Sequence, residues 1–295
     1  MKLLSAVLLV LCLIFSISAQ NSKPKTIIFA VLNDGSTLEP ITFVEKGKLT
    51  PTVNGSDESA IITAFNQTYY NSKTSYNLIF GGAKSGAVTI KSSDPKSECS
   101  ANMASVTTQS AKAKLKGLVM ALATNAQMKK GAKDMRRTPL LKERTEIEIL
   151  VRAEFTKQKV SSANLKGLRY HNLTALDVDN DKSIEFVGSY WLPTAKTERA
   201  LLFFIADKTG DGKYSLSYSE FRLVKQEDVM SGDIKDIDGG IYNELLLDVF
   251  DYDGKGVSEI FTYVQSFEGA GFNAYKRDAG KWVKSFEGAN YHCGY

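Results

Sequence analysis

The residues with the most chemistry in them form one nine-residue stretch, Asp177-Val-Asp-Asn-Asp-Lys-Ser-Ile-Glu185. Carboxylates stand at positions 1, 3, 5 and 9, and Ser183 at position 7 offers a backbone carbonyl. Calcium takes about six to eight oxygens at ~2.3–2.6 Å, and alternate residues of a tight loop point inward together. Two like charges ~5 Å apart repel by about 3 kcal/mol at an effective dielectric near ~20. Four carboxylates in so short a loop are therefore strained without a cation, and Lys182 relieves only part of the strain. The expectation is a structural Ca2+ held by Asp177, Asp179, Asp181, Ser183 and Glu185. The plain alternative is a solvated acidic turn.

A second copy, Asp251-Tyr-Asp-Gly-Lys-Gly-Val-Ser-Glu259, repeats positions 1, 3 and 9, with Gly254 and Gly256 suited to a sharp bend. Its candidate ligands are Asp251, Asp253 and Glu259. Lys255 stands at position 5, so this loop either binds weakly or lets the ammonium replace the ion. A third stretch, Asp207 to Ser215, has two carboxylates and fits a hairpin turn equally well. It looks like an EF-hand loop only superficially, because Tyr218 stands where the bidentate glutamate belongs.

Other chemistry lacks its residues. No G-x-S-x-G elbow is present. In Gly81-Gly-Ala-Lys-Ser-Gly86, Ala83 occupies the glycine position of a phosphate loop, so a hairpin turn is expected there. The two histidines, His171 and His292, are too few for a zinc triad. Acid pairs of the glycosidase kind have no signature separating them from the loop ligands. A secreted hydrolase using acidic residues, and an envelope protein without metal, stand as the alternatives to a binding module.

The elements that must position these loops follow from apolar patterning. After His171, strand-like runs alternate with Asp- and Gly-rich turns: 173–178, 186–191, 200–206, 214–224, 243–250, 259–264, 272–276 and 281–286. The aromatics crowding the end, from Tyr263 to Tyr291, are expected to be mainly core. Before them, Ile147, Leu150, Val151 and Phe155 keep a helical stripe behind a Thr138-Pro139 start. Ser161 or Ser162 would cap a short helix ending near Gly167. Residues 24–99 suggest a small α+β unit. It has strands at 26–31 and 41–44, a helix carrying Ile61, Ala64 and Phe65 on one face, and a hairpin over 76–90. The alternation of Lys112, Lys114 and Lys116 with Ala113 and Leu115 favours a strand. The expected fold is α+β: an N-terminal domain over 20–130, then a helix and an antiparallel β region over 131–295.

Met1 to Ala19, with one lysine, an apolar run and small residues at the end, has the form of a secretory signal cut before Gln20. The chain is then expected to be secreted, periplasmic or held in the cell envelope, with no later transmembrane span. Cys99 and Cys293 remain, and one disulfide is the simple expectation in an oxidising compartment. The 295 residues carry 43% hydrophobic and 24% charged side chains, which excludes disorder, and a net charge of +4 is too small to imply nucleic acid. Between residues 112 and 144 ten basic residues face two acidic ones, whereas 170–262 holds eighteen acidic against nine basic. That split suggests a solvated basic face, or a basic stretch lying against the acidic half, rather than a surface for an anionic polymer or a membrane.

Strand, acidic loop, strand recurs at a separation of 74 residues, as Leu173–Val187 and Leu245–Phe261, which marks an internal duplication. Here the sequence resembles the FG-GAP and VCBS repeats of integrin-like proteins, whose loops follow a D-x-D-x-D-G-x-x-D/E pattern; Lys182 replaces the glycine. The resemblance covers about residues 172–286. It implies propeller-like blades, too few to close a propeller, structural calcium, and an adhesion-type role toward a protein or carbohydrate ligand. More broadly, the order of parts is similar to that of exported bacterial proteins of unassigned activity.

Overall fold

The computed structural model describes residues 23–128 and 135–293. The expected signal at 1–19 and the boundary at residue 130 lie outside them. Among the described residues there are fifteen strands and three α-helices.

The N-terminal part is a closed barrel. Strands β1 (Thr26–Leu32), β2 (Thr37–Glu45), β4 (Ser75–Phe80), β5 (Ala83–Ser93), β6 (Ala104–Ser110) and β7 (Ala121–Thr124) pair antiparallel in the ring β1-β7-β4-β5-β6-β2, and β2 pairs back with β1. The short β3 (Lys48–Pro51) adds to β2. Period-two alternation sends Ile27, Phe29 and Val31 inward and Ile28, Ala30 and Leu32 outward. Helix α1 (Ser59–Tyr69) joins the barrel core through Ile62, Phe65 and Tyr69. Ile61, expected on that face, is exposed.

The rest is two four-stranded antiparallel sheets. One orders β11 (Tyr214–Lys225), β10 (Glu198–Lys208), β9 (Glu185–Ala195) and β8 (Arg169–Leu176). The other orders β12 (Glu244–Phe250), β13 (Glu259–Gln265), β14 (Gly269–Asp278) and β15 (Lys281–Tyr291). The layers stack in sequence. The outer barrel wall packs on Leu245, Leu247, Phe261 and Phe272. The opposite face of that sheet, with Leu246, Ile260 and Tyr275, packs on Leu176, Val187, Phe203 and Ile205. Helix α2 (Leu141–Lys157) closes the far side, laying Ile147, Val151 and Phe155 on Phe186, Leu202 and Phe204. A sheet covered on both faces needs apolar residues on both, which is why Leu245–Leu247 and Ala200–Ala206 are unbroken apolar runs.

This corrects the expected fold class. The chain is mainly β, with a closed barrel and two sheets stacked face to face; it is not a small α+β unit followed by propeller-like blades. The barrel was hidden because its closure rests on pairings distant in sequence, such as β1 with β7 and β2 with β6. Residues 111–120 form a loop, not the strand that the lysine alternation suggested.

The C-terminus returns to the barrel. Cys293 is bonded to Cys99, as expected. Asn290 Nδ2 donates to Glu39 Oε1 at 2.7 Å, and His292 Nε2 lies 2.7 Å from the same oxygen. Among the described residues no helix is long and apolar enough to cross a membrane.

Candidate functional site

The two acidic loops occupy equivalent places. Leu176 pairs with Glu185 across the first hairpin, and Phe250 with Glu259 across the second, 74 residues on. Positions 4 and 6 take left-handed backbone in both: Asn180 (φ 60°) and Lys182 (φ 71°), then Gly254 (φ 76°) and Gly256 (φ 93°). The second loop uses glycine where that conformation carries no Cβ penalty; the first uses asparagine and lysine. In each, the first aspartate accepts from the amide five residues on, Asp177 from Lys182 at 3.1 Å and Asp251 from Gly256 at 3.0 Å. The third-position aspartates accept from position 5, Asp179 from Asp181 at 3.3 Å and Asp253 from Lys255 at 3.1 Å. The duplication inferred from sequence is thus present in register and backbone.

In the first loop, Asp177, Asp179 and Glu185 each place an oxygen within 4.8 Å of the others. Asp181 is exposed, accepts the amide of Ser183 at 2.6 Å and stands outside this triad. Glu185 is buried, and its Oε2 accepts the Val178 amide at 3.0 Å. Asp177 Oδ1 is shut off from solvent and accepts no hydrogen bond.

Sequence reasoning missed the cation that reaches this triad. Arg277, on β14 of the other sheet, donates to Asp179 at 2.7 Å, Glu185 at 3.3 Å and Asp207 at 2.8 Å. Trp282 Nε1 also donates to Asp207, at 2.9 Å, and its ring lies under the guanidinium. Asp207 is therefore held as a partner of Arg277 and Trp282, and its loop is the β10–β11 hairpin turn. Nothing in the sequence links Arg277 to an acid 98 residues away.

Burial pushes the Glu185 carboxyl up to about 7; the Val178 amide and Arg277 pull it down, while Asp179 and Asp207 add to the rise. Burial also raises Asp179 against the pull of Arg277. An ion pair would ordinarily lower both acids. Here the one long contact from Arg277 to Glu185 does not offset the loss of water.

The second loop carries its own cation. Lys255 Nζ lies 2.5 Å from Asp253 Oδ2, with most of its side chain in solvent. Glu259 is buried, and burial followed by the charge of Asp253 raises its carboxyl to about 8. Both loops line one cavity of about 760 Å3, together with Gly81, Met128, Met135 and Tyr252. Gly81 and Gly82 form the expected hairpin turn, with their amides on the buried Asp248.

Other candidates are accounted for by packing. His171 stacks on Trp191 at 5.8 Å, with Nε2 3.3 Å from the Ile237 carbonyl. Tyr263, Phe272, Tyr275 and Trp282 are buried, in keeping with the core reading of the terminal aromatics. Compared with known proteins, the chain matches no protein-family model, no curated protein and no solved structure.

Proposed function

We propose that the chain is an exported calcium-binding interaction module whose ion, held by the first loop, is structural. The observation that carries this reading is the triad of Asp177, Asp179 and Glu185, each with an oxygen within 4.8 Å of the others, together with a buried Asp177 Oδ1 that accepts no hydrogen bond. Charge supports it. Asp179, Glu185 and Asp207 share the one guanidinium of Arg277, and Asp177 adds a further carboxylate beside Asp179 and Glu185, so a divalent ion offsets an excess of negative charge. The three carboxylates would hold the ion, which would draw the start of β9 and the loop together. The disulfide fits an oxidising compartment. The likeness to FG-GAP loops, and a protein or carbohydrate as the partner, belong to the same proposal.

Thermal melts with calcium and with chelator test it. At 100 times its dissociation constant, calcium stabilises by about 2.7 kcal/mol. Asp179→Ala is expected to abolish that gain. An unchanged melting temperature in calcium removes the metal. Arg277 favours a second reading, a metal-free structural protein in which the guanidinium alone balances the triad. That reading predicts identical melts in calcium and chelator.

A further inference from the structure

The end of β15 is seated on the barrel rim by neutral hydrogen bonds and by two contacts that chemistry can switch. The neutral ones come from the turns at 53–57 and 99–102. Asn54 Nδ2 donates to the Ala289 carbonyl at 2.8 Å, and the Tyr291 amide donates to Asn54 Oδ1 at 3.0 Å. Asn290 Oδ1 accepts from the Gly55 amide at 2.9 Å and from Asn102 Nδ2 at 2.7 Å. The Ser100 amide donates to the His292 carbonyl at 3.2 Å. A Cβ on Gly55 would stand 2.0 Å from the Tyr291 carbonyl oxygen, so glycine is what lets these backbones lie so close.

The first switchable contact is the Cys99–Cys293 bridge, whose Cys99 end is exposed. An exposed bridge is open to thiol exchange. A dithiol attacks one sulfur as its thiolate, and the other cysteine leaves and takes up a proton. The second sulfur of the dithiol then displaces the remaining cysteine. Two electrons reach the bridge, and the dithiol ends as its own cyclic disulfide.

The second is the pair of Glu39 and His292. Glu39 is wholly buried on β2, its Oε2 accepts no hydrogen bond, and Asn290 and His292 share its Oε1. Among the described residues no other cationic side chain reaches it. A buried carboxylate that loses its one counter-charge is costly, so deprotonation of His292 weakens the seat. Burial works against the charged imidazole, but the hydrogen bond and charge of Glu39 outweigh it, and His292 keeps its proton above the usual histidine range. Its contribution is complete in acid and fades as pH rises through the folded value. The phenols of Tyr70 and Tyr263 also face the Glu39 charge, with burial above all raising their pKa values. Asp57, whose Oδ2 takes the Asn54 amide, and the exposed Glu98 and Glu268 lie on the segments packed around the seat. Among the described residues none of these pairs with His292.

We propose that the bridge and the Glu39–His292 pair form a latch with two inputs: the turns at 53–57 and 99–102 let go of residues 289–292 only when Cys99–Cys293 is reduced and His292 has lost its proton. Either contact alone keeps the neutral hydrogen bonds in register. The latch goes beyond the proposed function and needs no metal.

Hydrogen exchange of the full chain tests this, read at the Gly55, Ser100 and Tyr291 amides and corrected for the intrinsic rate at each pH. Three forms are compared at pH 5.5 and 8.5: oxidised, reduced by excess dithiothreitol, and Cys99→Ser with Cys293→Ser. The oxidised chain is expected to keep its protection at both pH values. The two bridge-free forms keep it at pH 5.5 and lose it by about tenfold at pH 8.5, the scale of one charge-assisted hydrogen bond. His292→Gln added to the serine variant is expected to show the low protection at both. Equal protection of the bridge-free forms at the two pH values refutes the histidine input. A loss at pH 8.5 as large in the oxidised chain refutes the bridge input. The Leu122 amide, on the buried strand β7, serves as control: if it loses protection with the others, the chain unfolds as a whole and there is no latch.

Discussion

Arg136 and Asp248 offer the sharpest test of how this molecule is held together. Asp248 is wholly buried on β12, and the Arg136 side chain is 7% exposed. Oδ2 of the acid accepts from the guanidinium at 2.9 Å, while Oδ1 takes the amides of Gly81, Gly82 and Val249. The same guanidinium nitrogen donates to the Leu247 and Met120 carbonyls, and the group lies 4.5 Å over the Phe80 ring. Barrel, sheet and connecting chain meet there. Arg136→Met keeps the apolar stem and removes the charge. Breaking a buried pair from one side costs about 3–5 kcal/mol, because the remaining charge has no counterpart.

The sign of the pH effect follows from Asp248. Burial raises its pKa, and Arg136 with the amides of Val249 and Gly81 pulls against the rise. A carboxyl whose folded pKa lies above its unfolded one contributes stability in acid and loses it as pH climbs through the folded value. Removing Arg136 raises that value further. The variant's deficit is therefore larger at pH 7 than at pH 5. Urea denaturation with the disulfide intact, at both pH values, measures it. Adding Asp248→Asn to Arg136→Met is expected to recover more than half of the loss, since an amide oxygen can keep the three amide donors while the charge is gone. A deficit below about 1 kcal/mol at pH 7 would contradict the buried-pair argument. So would a double variant no more stable than the single one.

Three further outcomes are expected. Gly188→Ala is destabilised by about 1–3 kcal/mol in chemical denaturation, because a Cβ there would stand 2.6 Å from Phe204 Cζ in a packed core; a neutral result contradicts the packing. Burial lowers the His292 pKa, but hydrogen bonding and charge from Glu39 raise it more, so it ends above 6.5. The pair's stability is then complete below that value and fades as pH rises through the folded one. The gap between wild type and His292→Gln should therefore narrow from pH 5.5 to 8.5, and a gap independent of pH refutes the pair. Cys293→Ser loses roughly 2–5 kcal/mol against the oxidised wild type, and reduction of the wild type reproduces the loss; equal denaturation midpoints would show that the bridge adds nothing.

Legibility followed locality. The eight C-terminal strands were readable because most are self-contained apolar runs, many of them bounded by Asp- or Gly-containing turns, although β11 is largely polar. Helix α2 announced itself through Ile147, Val151 and Phe155, although it begins at Leu141, two residues beyond Pro139. Strand β6 was invisible: Ala104 and Val106 are its buried residues among serines, threonines and a glutamine, too faint an alternation to stand out. Helix α1 was found with its face rotated by one position, since Ile61 and Ile62 are equally apolar and only the barrel decides between them. The acidic loops were plain in sequence, as was their duplication. What they face was not. Arg277, and the meeting of Ser258 with Val178, depend on two sheets stacking, and no short-range pattern encodes that.

The bond between Cys99 and Cys293 spans 194 residues and encloses two barrel strands, both sheets and all the acidic loops. A protease that cuts once anywhere inside that span opens a ring and releases no fragment. Digested protein would keep its full mass on a gel run without thiol and fall into pieces only when thiol is added. Damage at a single exposed turn is thereby survivable, and a second lesion, either another cut within the ring or reduction of the bridge, is needed before any part of the enclosed chain is covalently free.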